Sequence, residues 1–147
     1  VQYSSRIRNA QLEAVAAALG PAATLKIFSG ACPSSCDAAN PPGEIAALEL
    51  PRKPFRVPDG GKLMISESWA GLSHAPETCT AKSFRVMDYL GEVHIQGTIT
   101  KNGLDGDLQL DTTEVKPGQR ISIGAFTIDA ADVREEQRQR QRELEEA

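Results

Sequence analysis

The reactive side chains of this 147-residue chain are three cysteines and two histidines, and their spacing decides which chemistry to consider first. Cys32 and Cys36 bracket Pro33-Ser34-Ser35, and His74 and Cys79 follow with four residues between them. Three thiolates and one imidazole are the donor set of a tetrahedral zinc centre. The Cys-x3-Cys and His-x4-Cys spacings do not form the paired tight turns that aim sulfurs at one ion. The expectation is therefore no bound metal and no cofactor. An odd cysteine count leaves at least one thiol outside any internal disulfide. Cys32 with Cys36, or one of these with Cys79, are the disulfide candidates, the remaining thiol being open to a bond with another chain. Against these stands the reading of all three as small, unpaired apolar side chains.

A second group of oxygens gathers at Asn102, Asp105-Gly106-Asp107 and Asp111. Calcium favours such clusters, but the bidentate Glu at the twelfth position of an EF-hand loop is missing. Turn chemistry predicts a hairpin with solvating acids. His94 stands on the Val93–Ile95 strand in phase with Glu92 and Gln96, which predicts a solvent-facing ring with no catalytic role. No Walker loop, dinucleotide fingerprint, nucleophile elbow or pair of metal-binding histidines occurs in the sequence. The expectation is a protein that is not an enzyme. Trp69, in an unpatterned stretch between Ser68 and Ala70, is a candidate exposed anchor for a partner, its alternative being a lid over one end of the fold.

These residues need elements to hold them. Ser4 and Ser5 offer capping oxygens, Ile7, Leu12, Val15 and Leu19 recur at helical spacing, and Gly20-Pro21 stops the run, which predicts a helix over residues 5–19. The period then changes to two. Strands are predicted at Ala23–Phe28, Ile45–Leu50, Lys62–Ser66, Ser83–Tyr89, Glu92–Thr100, Leu108–Asp111 and Arg120–Asp129, separated by Gly, Pro and Asn turns. Residues 31–44 read as a long loop without a buried face. In the last strand Ile121 and Ile123 are odd and Phe126 and Ile128 even, a phase change that a β-bulge at Gly124-Ala125 would explain. Seven strands with no second helix between them predict a mainly β fold, an antiparallel β-sandwich with an N-terminal helix.

Leu, Ile, Val and Phe make up 32 of the 147 residues, about a fifth, so the core is thin. The net charge of −4 offers no basic face, and nucleic acid is not an expected partner. No apolar run approaches the ~18 residues of a membrane span, so a membrane is not expected either. Residues 1–131 are read as helix plus sandwich, and residues 132–147 as a charged helical extension. That extension holds Val133 and Leu144 among Arg, Glu and Gln, with opposite charges at Glu136/Arg140 and Arg142/Glu146. It has no stripe for docking on its own domain, so Arg134, Glu136, Arg138, Arg140, Arg142 and Leu144, together with Trp69, are the candidate partner-binding residues.

The serial order of several short motifs carries a resemblance. Arg8-Asn9-Ala10, Thr24-Leu25-Lys26-Ile27-Phe28-Ser29-Gly30 and Leu48-Glu49-Leu50 are followed by Phe84-Arg85-Val86-Met87-Asp88, Gly97-Thr98, Leu108 through Thr113, and Gly118 through Ile128. In this order they resemble a family of small, mostly uncharacterised β-sandwich proteins associated with tailed-bacteriophage virions, over residues 6–129. The pattern brings no catalytic residue. The cysteines, the Pro- and Arg-rich stretch 51–61 and the extension 132–147 depart from it. The resemblance implies a virion structural protein, made in the host cytoplasm and placed on the capsid exterior as a decoration or linking (cement) subunit. Its partners would be the major capsid protein or another decoration protein. The alternatives are a neck or tail component, or a zinc- or glycan-binding β-sandwich module.

Overall fold

The computed structural model describes residues 1–130. Helix α1 (Ser5–Leu19) starts where Ser4 Oγ accepts from the Ile7 N–H at 3.2 Å and ends at Gly20, whose φ of 71° closes the last turn. It buries Leu12 and Leu19 and half-buries Val15 and Ala16, while Ile7 stays 48% exposed. The apolar stripe thus begins one turn later than its spacing implies. No helix among the described residues is long and apolar enough to cross a membrane.

The remaining elements are strands: β1 (Thr24–Phe28), β2 (Glu44–Glu49), β3 (Lys62–Met64), β4 (Trp69–Leu72), β5 (Cys79–Thr80), β6 (Ser83–Met87), β7 (Val93–Lys101), β8 (Leu108–Leu110), β9 (Glu114–Val115), β10 (Arg120–Ile123) and β11 (Thr127–Asp129). The fold is mainly β. Five strands form one sheet in the order β2-β1-β6-β7-β8, and three two-stranded pairs, β10-β4, β11-β3 and β5-β9, complete the structure. The large sheet curls. At one edge a bridge between Ala46 and Ser73 and the His74 N–H on Ile45 O (2.9 Å) bring β4 against β2, and at the other β8 lies beside β10.

Alternation selects the side chains inside this curl. Leu25 and Ile27 of β1, Leu48 of β2, Phe84 and Val86 of β6, Leu108 of β8 and Ile123 of β10 are all buried. Four rings run through the core: Phe126 packs edge-on against Phe84 at 5.4 Å between centroids and tilted against Trp69 at 6.0 Å, and Trp69 meets Phe55 at 5.5 Å. Val93, Ile95 and Ile128 are half-buried.

Three expectations change. Short strands β4, β5 and β9 carry too few alternating residues to be read from sequence, so eleven strands stand among the described residues where about seven were expected. The run Arg120–Asp129 is two strands without a bulge: β10 pairs with β4 and β11 with β3, so the phase change at Gly124-Ala125 marks a chain leaving one partner for another. The arrangement is not wholly antiparallel, because β8 lies parallel to β7 with Ile99 opposite Leu108. Such a pair ordinarily needs a crossover of about a dozen residues or more, and here residues 102–107 suffice because side chains replace backbone partners along the return. Asp107 Oδ2 accepts from the Thr98 N–H (3.0 Å) and Thr100 Oγ1 from the Gly106 N–H (3.0 Å). Gly97 makes room for this, since a Cβ there would meet Asp107 Oδ2 at 2.6 Å and the Phe84 ring at 2.9 Å. The charged helix expected over 132–147 lies outside the described residues.

Candidate functional site

Strand β6 has β1 on one side and β7 on the other, and all five of its residues are buried, the charged Arg85 among them at 1% exposure. On a strand with one wet face, Arg85 would point to water. What covers it is the excursion between β1 and β2. The base of that loop is closed by the Ser29 N–H on Gly43 O (2.8 Å) and the Gly30 N–H on Pro42 O (3.0 Å), with Gly43 at a φ of 79° that other residues rarely adopt. The loop then folds over the sheet, and the guanidinium holds it there.

All five N–H groups of Arg85 are used. Nε donates to Gln96 Oε1 (3.2 Å), Nη1 to Ala38 O (2.9 Å) and Asn40 Oδ1 (3.0 Å), and Nη2 to Ser35 O (3.0 Å) and Gln96 Oε1 (3.0 Å). Gln96, opposite Arg85 across β6–β7, passes the restraint on through its Nε2 to Pro33 O (2.9 Å), and Ser83 Oγ reaches Gly30 O at 2.7 Å. A buried charge satisfied by carbonyl oxygens from several points of one loop fixes that loop before any partner arrives. Ala31, Ser34, Ser35, Asp37 and Ala39 are exposed on it.

Cys32 and Cys36 sit half-buried on this loop, and Cys79 is half-buried on β5, where its Sγ contacts Glu77 O at 3.2 Å. All three are free, so none of the disulfide candidates is closed within the chain. The proposed zinc set is not assembled: His74 bonds Glu44 Oε2 at 3.0 Å, and Glu44 also pairs with Lys26 at 2.9 Å. Among the described residues Cys32, Cys36, His74 and Cys79 form no ligand cluster. Burial pushes the Cys32 thiol up, with Arg85 opposing, which favours the neutral thiol over the thiolate that a metal or an electrophile requires.

The oxygen-rich stretch is the β7–β8 return and not a hairpin. Its side chains are spent on holding it: Asn102 Nδ2 donates to Asp111 Oδ1 at 2.6 Å, and Gln109 bonds both the Gly103 N–H and Leu104 O. Between this loop and the β10–β11 corner lies a cleft of about 570 Å³ lined by Asn102, Asp107, Gln109, Asp111, Ser122 and Phe126 among others. Trp69, the candidate exposed anchor, is 1% exposed and belongs to the core, because β4 is tucked between β2 and β10. The other partner-binding candidates, Arg134, Glu136, Arg138, Arg140, Arg142 and Leu144, lie outside the described residues.

His94 is not a solvent-facing residue. Its Nε2 lies 3.0 Å from Asp88 Oδ2, and their side chains are 24% and 12% exposed. Asp88 Oδ1 accepts from the N–H groups of Leu90 (2.9 Å) and Glu92 (3.0 Å), closing the turn between β6 and β7. The hydrogen bond with His94 is the main cause that holds the Asp88 carboxyl below its ordinary value of 3.8; burial opposes it, and the two backbone N–H groups add to it. A carboxylate with a lowered folded pKa stabilises the fold at pH above its unfolded value, and the effect is lost as pH falls through 3.8 towards the folded value. The urea midpoint of Asp88→Asn is therefore expected below wild type at pH 7, with the gap narrowing as pH falls below 3.8. A gap independent of pH would show that the carboxylate charge is not what matters.

Arg85 and Asp88 are the residues that sequence reasoning missed. Asp88 had a local signal, an Asp three residues before Gly91 with His94 just beyond the turn. Arg85 had none, since between Phe84 and Val86 it reads as an ordinary outward position. No family model, no curated protein and no solved structure matches this chain.

Proposed function

We propose that this chain is a non-enzymatic structural subunit of a tailed-bacteriophage virion, a decoration or linking subunit on the capsid exterior. The observation that supports it is the loop over residues 31–43, held by three hydrogen bonds from one buried guanidinium. A contact surface ordered in advance avoids the entropy of ordering on binding. Repeated on a lattice, each modest contact gains from the high local concentration of its neighbours. In this reading the curled sheet works as a sandwich, and the charged helix over 132–147 binds the major capsid protein or another decoration protein. Any disulfide is intermolecular.

Antibody labelling of intact particles, with mass spectrometry of their protein content, tests this. Label spread over the head supports the decoration role, and label confined to neck or tail replaces it with the neck or tail reading. Absence of the chain from purified particles overturns both. Deleting residues 133–147 should leave the melting temperature nearly unchanged and lower incorporation; wild-type incorporation would remove the helix from the interface. The cleft lined by Asn102, Asp107, Gln109 and Asp111 favours a glycan-binding module as the second reading, since carboxylates and amides suit sugar hydroxyls. A glycan screen without hits would remove it. The structure favours the zinc-stabilised module built on Cys32, Cys36, His74 and Cys79 less than the glycan reading, since His74 bonds Glu44.

A further inference from the structure

We propose that Asp88, Glu92 and His94 form a binding site for a first-row divalent cation, Zn²⁺ foremost, at the turn between β6 and β7. Each residue offers one ligand atom, and the three atoms lie within 4.8 Å of one another. Ligands held about 2.0–2.2 Å from a tetrahedral zinc stand roughly 3.3–3.5 Å apart, so only small side-chain adjustments separate the present spacing from coordination. Two carboxylates and an imidazole are nitrogen and oxygen donors suited to zinc, and three protein ligands leave one position open.

Two further features single out this turn. The first is the pairing of β6 with β7: Val86 stands opposite Ile95 and Met87 opposite Val93, so His94 is the unpaired residue of a bulge. Bulges re-aim side chains, and this one leaves His94 against Asp88, whose Oδ1 is already taken by backbone N–H groups and whose Oδ2 faces the ring. The second is a cleft of about 370 Å³ between the turn and the loop clamped by Arg85. Glu92 lines it together with Cys36, Asp37 and Asn40. Glu92, one of the three ligands, thus borders space that a water or a partner's side chain can enter. All three ligands come from one hairpin, so binding orders little extra chain. This site shares no residue with the zinc set read from the cysteines and does not depend on the virion role.

Calorimetric titration of the full chain, stripped of metal, with Zn²⁺ tests the assignment. One ion per chain is expected in wild type, in the thiol-free Cys32→Ser/Cys36→Ser/Cys79→Ser variant and in His74→Ala. Glu92→Gln, a change at an exposed side chain that leaves the fold intact, and His94→Ala should each weaken binding by about tenfold or more. The proposal is overturned if wild type takes up no stoichiometric zinc, if Glu92→Gln and His94→Ala bind like wild type, or if uptake vanishes in the thiol-free or His74→Ala chain.

Discussion

Phe126→Ala is expected to lower stability by about 3–5 kcal/mol, the usual cost of truncating a buried aromatic ring, and to drop the melting temperature by roughly 10 °C or more. Phe126 is 6% exposed and stands between Phe84 and Trp69, so its removal takes away two ring contacts at once. It also lies at the corner where the chain passes from β10 to β11. Phe84→Ala on the central strand should cost a similar amount. Urea unfolding followed by circular dichroism measures both. Either variant unfolding at the wild-type midpoint would show that the ring cluster is not the centre of the core.

Arg85→Ala is expected to cost about 3 kcal/mol or more, because hydrogen bonds from a charged group contribute about 1.5–3 kcal/mol each and water entering the gap recovers only part of them. The loss should be local in form. Ser35 O, Ala38 O and Asn40 Oδ1 lose their common donor, so the loop should become cleavable by protease while β1, β6 and β7 stay folded. Arg85→Lys keeps the charge but offers one nitrogen with three donors in place of a planar fork with five, and should protect the loop only partly. Limited proteolysis with mass mapping of the cuts decides this. Cleavage no faster in Arg85→Ala than in wild type would show that the loop is held by its own turns. The function proposed above would then lose its main support.

The extent to which sequence anticipates this molecule follows from the range of each interaction. Helix α1, with its Ser4 cap and Gly20 stop, was legible because capping and periodicity act within a few residues. So were β1, β2, β6 and β7, whose alternating apolar residues mark an inward face whatever the partner strand proves to be. The thiols of Cys32, Cys36 and Cys79 were visible as reactive groups, but spacing along the chain could not say that His74 would be taken by Glu44. The same limit applies to Gly124-Ala125, where a phase change fits a bulge and a change of partner equally well until β4 and β3 are seen taking the two halves.

Other features were decided by tertiary structure alone. Whether Arg85 is wet or dry depends on a loop some forty to fifty residues away in sequence. Trp69 is core because β4 is enclosed between β2 and β10, and neither neighbour is adjacent in sequence. The parallel seat of β8 rests on Asp107 and Thr100 supplying hydrogen bonds that backbone would normally supply. Period and turn chemistry, being local, determined most of the elements and which side chains face inward. Coverage of the second face, the choice of partner and the meeting of polar groups are long-range events, and they placed Arg85 under its loop and His94 beside Asp88.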